Sequence, residues 1–336
     1  EHNDYNMNSV GTGPYKLVDY QSGSYLKFEA NENYYKGEPS IKNVVFQIIE
    51  NADTAILALQ NGEVDAYQMT PQQVKKLDLD ASNLSTYSYS EGRVGYLEIN
   101  CNRVTDEKVR KALLYAMDRK AMDDAAFESS EYYSIPYTFL PTNSQFYTED
   151  GVEKYEQDVD KAKSMLEDAG VSGLKLKLGY MSSDAVQSAQ ALLIQEQLKE
   201  VGVTVELAGG DGTAIANAMK DPDNEYDMYL GGYIMGIDPD TFSSLFENDG
   251  AYNYMHYSGY DTIDQLFEEG RSKLDESARK ETYAKLQAAV QDTGAFYPII
   301  SNNKILVVNN RIQGVEDAGL VPVYTFEDTS SLKIAE

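Results

Sequence analysis

The sequence contains no tryptophan, a single cysteine and only two histidines. One cysteine cannot form an intramolecular disulfide, so the fold does not rest on one. A zinc site would need a Cys/His cluster that these residues cannot supply. A Ser-His-Asp or Cys-His triad would depend on His256, and the surrounding AYNYMHYSG offers no oriented nucleophile. We therefore expect no metal and no cofactor.

Long apolar runs and phosphate-binding motifs are also missing. No run approaches the roughly 20 apolar residues that cross a bilayer. The first residues, EHNDYNMNSV, have neither a charged n-region nor an apolar h-region, so we expect a processed start. In GGDGTAIAN (209–217), Ile215 occupies the third glycine position of G-x-G-x-x-G, and Asp211 would repel phosphate.

Positive charge is scarce: 28 Lys and Arg face 55 Asp and Glu, a net charge of −27. That field repels nucleic-acid backbones and anionic lipid, so neither is expected as a partner. Tyrosine is abundant instead, with 27 residues. Its flat apolar face and polar tip suit binding surfaces, although frequent use of tyrosine on sheets explains the number equally well.

The pattern of apolar residues predicts an α/β protein. From residue 174 onward the chain alternates strand, helix, strand, helix, strand, which favours a mostly parallel, doubly wound sheet. Strands are predicted at 14–20, 24–35, 42–50, 63–69, 174–180, 203–207, 226–234 and 296–310. Helices are predicted at 51–62, 105–122, 158–170, 184–202, 213–220, 261–272 and 277–292.

One segment, GGYIMGIDPDTF (231–242), places two aspartates around a proline directly after a predicted strand. Open α/β folds bind ligands beyond the carboxyl ends of their strands. Asp238 and Asp240 could therefore line a pocket, form the carboxylate pair of a hydrolase, or contribute to a metal site. An ordinary turn is the remaining interpretation. Their i,i+2 spacing does not fix the distance between the carboxylates, and nothing else in the sequence supports an enzyme.

Five segments follow one another in an order known from a single family. They are GTGPYKLVDYQSGSYLKFEANENYYKG, TAILALQNGEVDAY, VTDEKVRKALLYAMDRKAM, DVDKAKSMLEDAG and YDMYLGGYIMGIDPDTF. This order resembles the family 5 solute-binding proteins, the oligopeptide- and dipeptide-binding components of bacterial ABC importers. Each motif alone would be weak, but together they extend over nearly the whole chain.

The resemblance implies a periplasmic-binding-protein type II-like fold, in which two lobes with doubly wound sheets are joined by hinge strands and close around a ligand. Residues 1–95 would belong to lobe I, 96–301 would form lobe II, and 302–336 would return to lobe I. The chain would be the C-terminal portion of a longer protein, with the N-terminal part of lobe I missing.

The implied function is capture of a small solute, first of all a peptide, for the permease subunits of an ABC transporter, without catalysis. The protein would be a monomer in the periplasm or a lipoprotein on the surface of a Gram-positive cell. The alternatives are a non-peptide solute, such as a metal chelate or a sugar, and a hydrolase that uses Asp238 and Asp240.

By position, Gly232 and Tyr233 take the places of the family's Gly-Trp, whose strand pairs with the ligand backbone and whose aromatic ring packs on the ligand. The family's acidic residue for a peptide amine falls on Gly236, so that carboxylate is missing here. Either Asp238 reaches the amine instead, or the ligand is held differently. We therefore predict as ligand-binding residues Tyr96, Gly232, Tyr233, Ile234, Met235, Gly236 and Asp238, with core or interface packing as the alternative for each.

Overall fold

The computed structural model describes residues 10–79, 82–127, 129–234, 236, 238–322 and 324–335. Within these residues the chain forms two compact units. Unit 1 runs to Glu91 and resumes at Asn303, and unit 2 is the continuous segment Gly92–Asn302. Unit 2 contains almost all of the predicted ligand-binding segment.

The strands are β1 (Tyr15–Gln21), β2 (Tyr25–Ala30), β3 (Asn43–Gln47), β4 (Ala66–Met69), β5 (Leu84–Ser90), β6 (Arg93–Ile99), β7 (Tyr133–Ser134), β8 (Lys175–Met181), β9 (Thr204–Gly210), β10 (Met228–Ile234), β11 (Phe296–Asn309), β12 (Ile312–Gln313), β13 (Leu320–Val321), β14 (Thr325–Phe326) and β15 (Lys333–Ile334). The α-helices are α1 (Ala52–Gln60), α2 (Pro71–Val74), α3 (Glu107–Tyr115), α4 (Arg119–Phe127), α5 (Val159–Asp168), α6 (Ala185–Glu200), α7 (Gly212–Ala218), α8 (Ser243–Phe246), α9 (Asp261–Ser272) and α10 (Glu276–Asp292).

Unit 1 contains a three-stranded antiparallel sheet in the order β1-β2-β3, whose first two strands, both predicted, form a hairpin. Helix α1 follows this sheet, and the side chain of Asn51 caps it by accepting from the Thr54 N–H at 2.9 Å. Its buried face is made of Ala55, Ile56, Ala58 and Leu59. Strands β4 and β5 both pair antiparallel with the second half of β11.

Unit 2 is built on a mixed sheet in which the first half of β11, then β6, β10, β8 and β9 lie side by side. The predicted strand–helix alternation from residue 174 is present, and it forms the parallel part, β10-β8-β9. The expectation of a mostly parallel sheet is wrong for β6 and β11, which pair antiparallel with their neighbours. These two strands enter from distant parts of the chain, so the local alternation carried no information on their direction.

Two apolar clusters cover the two faces of this sheet. Leu97 and Leu230 belong to the larger cluster, which includes α3, α4 and α6. Tyr96 belongs to the second, which includes α8, α9 and α10. Because neighbouring residues of a strand point to opposite faces, β6 and β10 contribute to both clusters at once.

The single helix predicted over 105–122 is divided into α3 and α4. Asp106 caps α3 by accepting from the Lys108 N–H at 2.8 Å. After α3 ends, the Asp118 carboxylate accepts from the Ala121 N–H at 3.2 Å and so stabilises the start of α4. A short polar side chain that bonds to nearby backbone competes with helix continuation, which explains the break inside an otherwise continuous apolar pattern.

The proline- and aromatic-rich passage between residues 134 and 151 has almost no regular structure, yet it contributes to the core. Phe139, Leu140 and Phe146 are buried. The Phe139 ring centroid lies 4.9 Å from that of Phe246 and 5.4 Å from that of Phe242. This passage therefore closes the second apolar cluster beside the Asp-Pro-Asp turn.

Candidate functional site

The predicted site residues lie on the pairing of β6 with β10. The antiparallel register sets Tyr96 opposite Gly231, Gly95 opposite Gly232, and Arg93 opposite Ile234. Directly opposite residues share one face of a sheet. One face therefore carries Tyr96 and Tyr233, and the other carries the two facing glycines with Arg93 and Ile234.

Tyr96 is buried, with a relative exposure of 6%, and its ring centroid lies 4.7 Å from that of Phe296. A Cβ built on Gly231 would be only 2.6 Å from the Tyr96 ring, so Gly231 makes room for that ring. Burial raises the pKa of the Tyr96 hydroxyl well above its ordinary value, and Glu98 adds to the effect. The structure thus places Tyr96 in the second apolar cluster, beneath β10.

Tyr233 is half-buried and opens a series of tyrosines that the sequence did not connect. Its ring lies 5.7 Å from that of Tyr252, which lies 6.3 Å from Tyr254, and Tyr254 lies 6.0 Å from Tyr229. Burial, followed by Tyr252, raises the pKa of the Tyr233 hydroxyl. The residues that follow β10 include Tyr252, which is 41% exposed, so this aromatic series reaches solvent. We call Tyr229, Tyr233, Tyr252 and Tyr254 the tyrosine ladder.

On the opposite face, the guanidinium of Arg93 lies against the backbone of Gly232. A Cβ built on Gly232 would overlap that guanidinium, and one built on Gly95 would come within 3.2 Å of the Arg93 Nη1. The two facing glycines therefore form a flat platform under the arginine. Sequence reasoning missed Arg93, because only the cross-strand register brings it to Gly232.

The second side of β10 is open. Strand β10 pairs with β8 only at Met228 and Tyr229, whereas all of Met228–Ile234 pairs with β6. Alternate residues of an antiparallel strand turn their N–H and C=O groups away from the partner strand. Among the residues that the structure describes, no strand and no turn pairs with the outward groups of 230–234. Extended ligand backbone has free donors and acceptors to meet here.

At the end of β10 and just after it, the described predicted residues are exposed or half-buried. Ile234 is 42% exposed. Gly236 has a φ of +86° and nothing within 4 Å of its Cβ position, so a side chain there would meet backbone strain but no crowding. Met235 lies outside the described residues. The glycine at 236 is explained by its backbone conformation, and this conformation disfavours the carboxylate that the family resemblance implies there.

The two aspartates of the turn are held apart by separate arginines. Arg279 donates to Asp238 Oδ2 at 2.9 Å, while Arg271 donates to Asp240 Oδ1 at 3.0 Å. Asp238 also accepts from the Asp240 N–H at 3.0 Å, which caps the short 3-10 helix Pro239–Phe242. Each carboxylate is thus engaged in an ion pair with its own arginine, an arrangement that stabilises the turn and offers no shared proton.

Glu98 is a second residue that sequence reasoning missed. Its side chain is fully buried on the Tyr96 face, opposite Tyr229 and beside Phe296. Neither carboxyl oxygen has a hydrogen-bond partner within the described part of the chain. Burial raises the pKa of Glu98 well above the ordinary carboxyl value, because the charged form loses its hydration. Tyr229 of the tyrosine ladder therefore lies opposite a carboxyl group whose neutral form is favoured by burial.

The described residues hold no group of three or more His, Cys, Asp or Glu side chains arranged to bind a metal ion. His256 is engaged elsewhere, since its Nε2 lies 2.7 Å from the Met219 carbonyl oxygen. Burial raises the pKa of the Cys101 thiol to about 11, which disfavours a reactive thiolate. In the same residues, no helix is long and apolar enough to cross a membrane.

Sequence comparison identifies the class of protein. The chain belongs to the bacterial extracellular solute-binding proteins, family 5 Middle, which it matches over residues 1–254. The family resemblance read from the five motifs is thereby confirmed. The family consists of substrate-binding proteins rather than enzymes.

Individual relatives support both the fold and the family. The crystal structure of the ABC transporter substrate binding protein CtaP from Listeria monocytogenes is 37% identical, with a TM-score of 0.92, and covers 100% of this chain and 69% of that one. The oligopeptide-binding protein AppA of Bacillus subtilis is 27% identical over 92% of this chain and 60% of its own length. The dipeptide-binding protein of Escherichia coli is 26% identical over 92% and 59%. The periplasmic-binding-protein type II fold is confirmed, and the chain spans about three fifths of these two curated relatives.

Replacing Glu98 by Gln should change how stability depends on pH. Glu98 keeps its proton in the folded state to a higher pH than in the unfolded state, so above the ordinary carboxyl pKa of about 4.3 the folded state loses stability as pH rises. That loss amounts to at most about 1.4 kcal/mol per pH unit and ends once pH passes the folded-state pKa. Glu98→Gln lacks it, so its stability relative to wild type should increase with pH.

Urea unfolding between about pH 4.5 and 7.5 measures this difference. The exposed Glu167→Gln serves as the matched control and should follow the wild-type curve. Parallel pH curves for Glu98→Gln and wild type would show that Glu98 ionises in the folded state as freely as in the unfolded state.

Replacing Asp238 by Ala should lower the free energy of unfolding by about 1 kcal/mol, because the cap of the 3-10 helix and the ion pair with Arg279 are both lost. Denaturant unfolding measures the change, and Asp249→Ala, an exposed aspartate of the following loop, is the control. Unchanged stability would contradict the structural role of Asp238.

Proposed function

We propose that this chain is part of an extracytoplasmic receptor that binds a small solute, first of all a peptide, and delivers it to the permease subunits of an ABC importer. The receptor acts as a monomer and does no chemistry on its ligand. It works in the periplasm or on the cell surface as a lipoprotein. The predicted division into a lobe of 1–95 with 302–336 and a lobe of 96–301 belongs to this proposal.

The open side of β10 is the observation that carries the peptide assignment. An extended peptide can add to a strand whose N–H and C=O groups have no partner, and it gains affinity from main-chain hydrogen bonds whatever its sequence. Residues 230–234 offer such a strand within unit 2. Tyr233 and Tyr252 stand beside it and provide apolar faces for the side chains of a ligand.

The state of the polar groups favours binding over catalysis. A general base needs a carboxylate free to accept a proton, and Asp238 and Asp240 each form an ion pair with an arginine. The half-buried Cys101 is disfavoured as a nucleophile by its raised pKa. The hydrolase alternative therefore has no group in this turn prepared for its chemistry.

A metal chelate is the second candidate, because a nickel-binding and a heme-binding protein are among the matching relatives. The missing carboxylate at Gly236 also removes the expected partner of a peptide amine. A chelate brings its own ligands, so it would need no cluster of protein side chains. Elemental analysis of the full-length protein purified from its host separates the two candidates, since stoichiometric metal supports the chelate.

A bound peptide should lose affinity when single amides are N-methylated, in a pattern with a period of two residues. Only alternate amides of an added strand face β10, so methylation at those positions removes a hydrogen bond and adds a clash. We expect losses of about tenfold or more at these positions and little change between them. Calorimetric titration of the full-length protein measures the series against the unmethylated parent. A loss without alternation would rule out strand addition.

Tyr233→Ala should weaken peptide binding by about tenfold, because the ligand loses an aromatic face. Tyr233→Phe retains the ring and should bind almost as well as wild type. Tyr324→Ala, which removes a tyrosine that is 82% exposed in unit 1, is the control. If Tyr233→Ala binds like wild type, the tyrosine ladder does not contact the ligand.

A further inference from the structure

Arg93 differs from the other arginines of the chain in its lack of a partner. The sequence has seven arginines, all within the described residues. Six of them bond to a carboxylate or a carbonyl oxygen, namely Arg103 to Asp227, Arg110 to Thr293, Arg119 to Pro298, Arg271 to Asp240, Arg279 to Asp238 and Arg311 to Asp65. In the same part of the chain, the side chain of Arg93 has neither an ion pair nor a hydrogen bond.

This isolation is unusual for a chain with a net charge of −27. Acidic side chains are plentiful, yet the carboxylate nearest in sequence, Glu91, pairs with Lys304 at 3.6 Å. A half-buried guanidinium gives up part of its hydration, which is unfavourable unless an anion or an acceptor replaces the lost water. A group left in this state at a predicted binding strand is suited to a partner that arrives from outside.

The platform beneath Arg93 fixes where that partner would bind. The guanidinium covers Gly232 of β10, and any side chain at Gly232 would displace it. A Cβ on the facing Gly95 would lie 2.8 Å from Ile300 Cγ2 and 3.2 Å from the Arg93 Nη1, so the absence of a side chain there makes room for both groups. The cation therefore lies on the strand segment whose outward backbone groups are open. Its planar fork matches a carboxylate with two parallel hydrogen bonds.

A ligand amine would need a negative charge at this end of β10, but the available charge there is positive. Gly236 supplies no carboxylate, and Asp238 is paired with Arg279, whereas Arg93 is free within the described residues. We propose that Arg93 receives a carboxylate of the ligand, so that the protein selects ligands whose acidic group, and not their amine, lies over Gly232. This inference rests on the proposed peptide-binding function.

The carboxylate can be the C-terminus of a peptide or an acidic side chain, and defined peptide pools distinguish these sources. The pools are pentapeptides that contain either one Glu or no acidic residue, each with a free or an amidated C-terminus. The full-length protein is mixed with each pool, and native mass spectrometry with calorimetry measures binding. We expect the pool without any carboxylate to bind about tenfold or more weakly than the best pool. The preferred pool identifies the source.

Variants at Arg93 complete the test. Arg93→Gln removes the charge and should abolish the preference for a carboxylate, while Arg93→Lys, which keeps the charge without the fork, should retain part of it. Arg311→Gln, which removes an arginine paired with Asp65 in unit 1, is the control and should keep the full preference. Thermal unfolding of each variant checks that the fold is intact.

Three outcomes would overturn the inference. Equal binding of the neutral and acidic pools by wild type would do so while leaving peptide binding intact. A full preference that persists in Arg93→Gln would also do so, since the carboxylate would then bind elsewhere. Failure of wild type to bind any pool would overturn the peptide function and this inference together, and that result differs visibly from the other two.

Discussion

The antiparallel pairing of β6 with β10 is the interaction on which the candidate site depends. In this register, Tyr96 lies opposite Gly231 on one face of the sheet, and Gly95 lies opposite Gly232 on the other. Gly231 is required by the ring of Tyr96, and Gly232 by the guanidinium of Arg93. The consecutive glycines therefore serve two different faces, and a one-residue slip of the register would set each against the wrong neighbour.

A strand with unpaired backbone groups is normally a liability, because it can recruit other chains. In unit 2 the open segment is short, since β10 follows β8 as far as Tyr229 and only residues 230–234 lack that neighbour. Strand β10 ends at Ile234, and the arginine-held turn begins at Asp238. The exposed edge is confined to the length that a small extended ligand could cover, which reconciles an open strand with a stable sheet.

The sequence predicted most elements correctly wherever the cause is local. The alternation of strands and helices from residue 174 and the hairpin of β1 and β2 depend on periodicity and turns, which neighbouring residues encode. The antiparallel direction of β6 and β11 and the burial of Phe139 depend on partners far along the chain. The division of the 105–122 helix has a local cause, the bond from the Ala121 N–H to Asp118, which the apolar periodicity does not register. The same limit applies to the site: the sequence selected Tyr233 from a motif, but Arg93 and Glu98 acquire their surroundings only through strand pairing.

In unit 2, the polar groups that have partners and those that lack them serve different purposes, stability and binding. Asp238 and Asp240, which the sequence suggested as a possible catalytic pair, each form an ion pair with an arginine that stabilises the turn. Two sets of groups that lack partners within the described residues, the outward backbone of 230–234 and the guanidinium of Arg93, come together at Gly232. Since unsatisfied polar groups cost free energy in a folded protein, their concentration at one place needs a compensating partner. A ligand with an extended backbone and a carboxylate satisfies both kinds of group at once, and that coincidence is the strongest physical link between this fold and its proposed task.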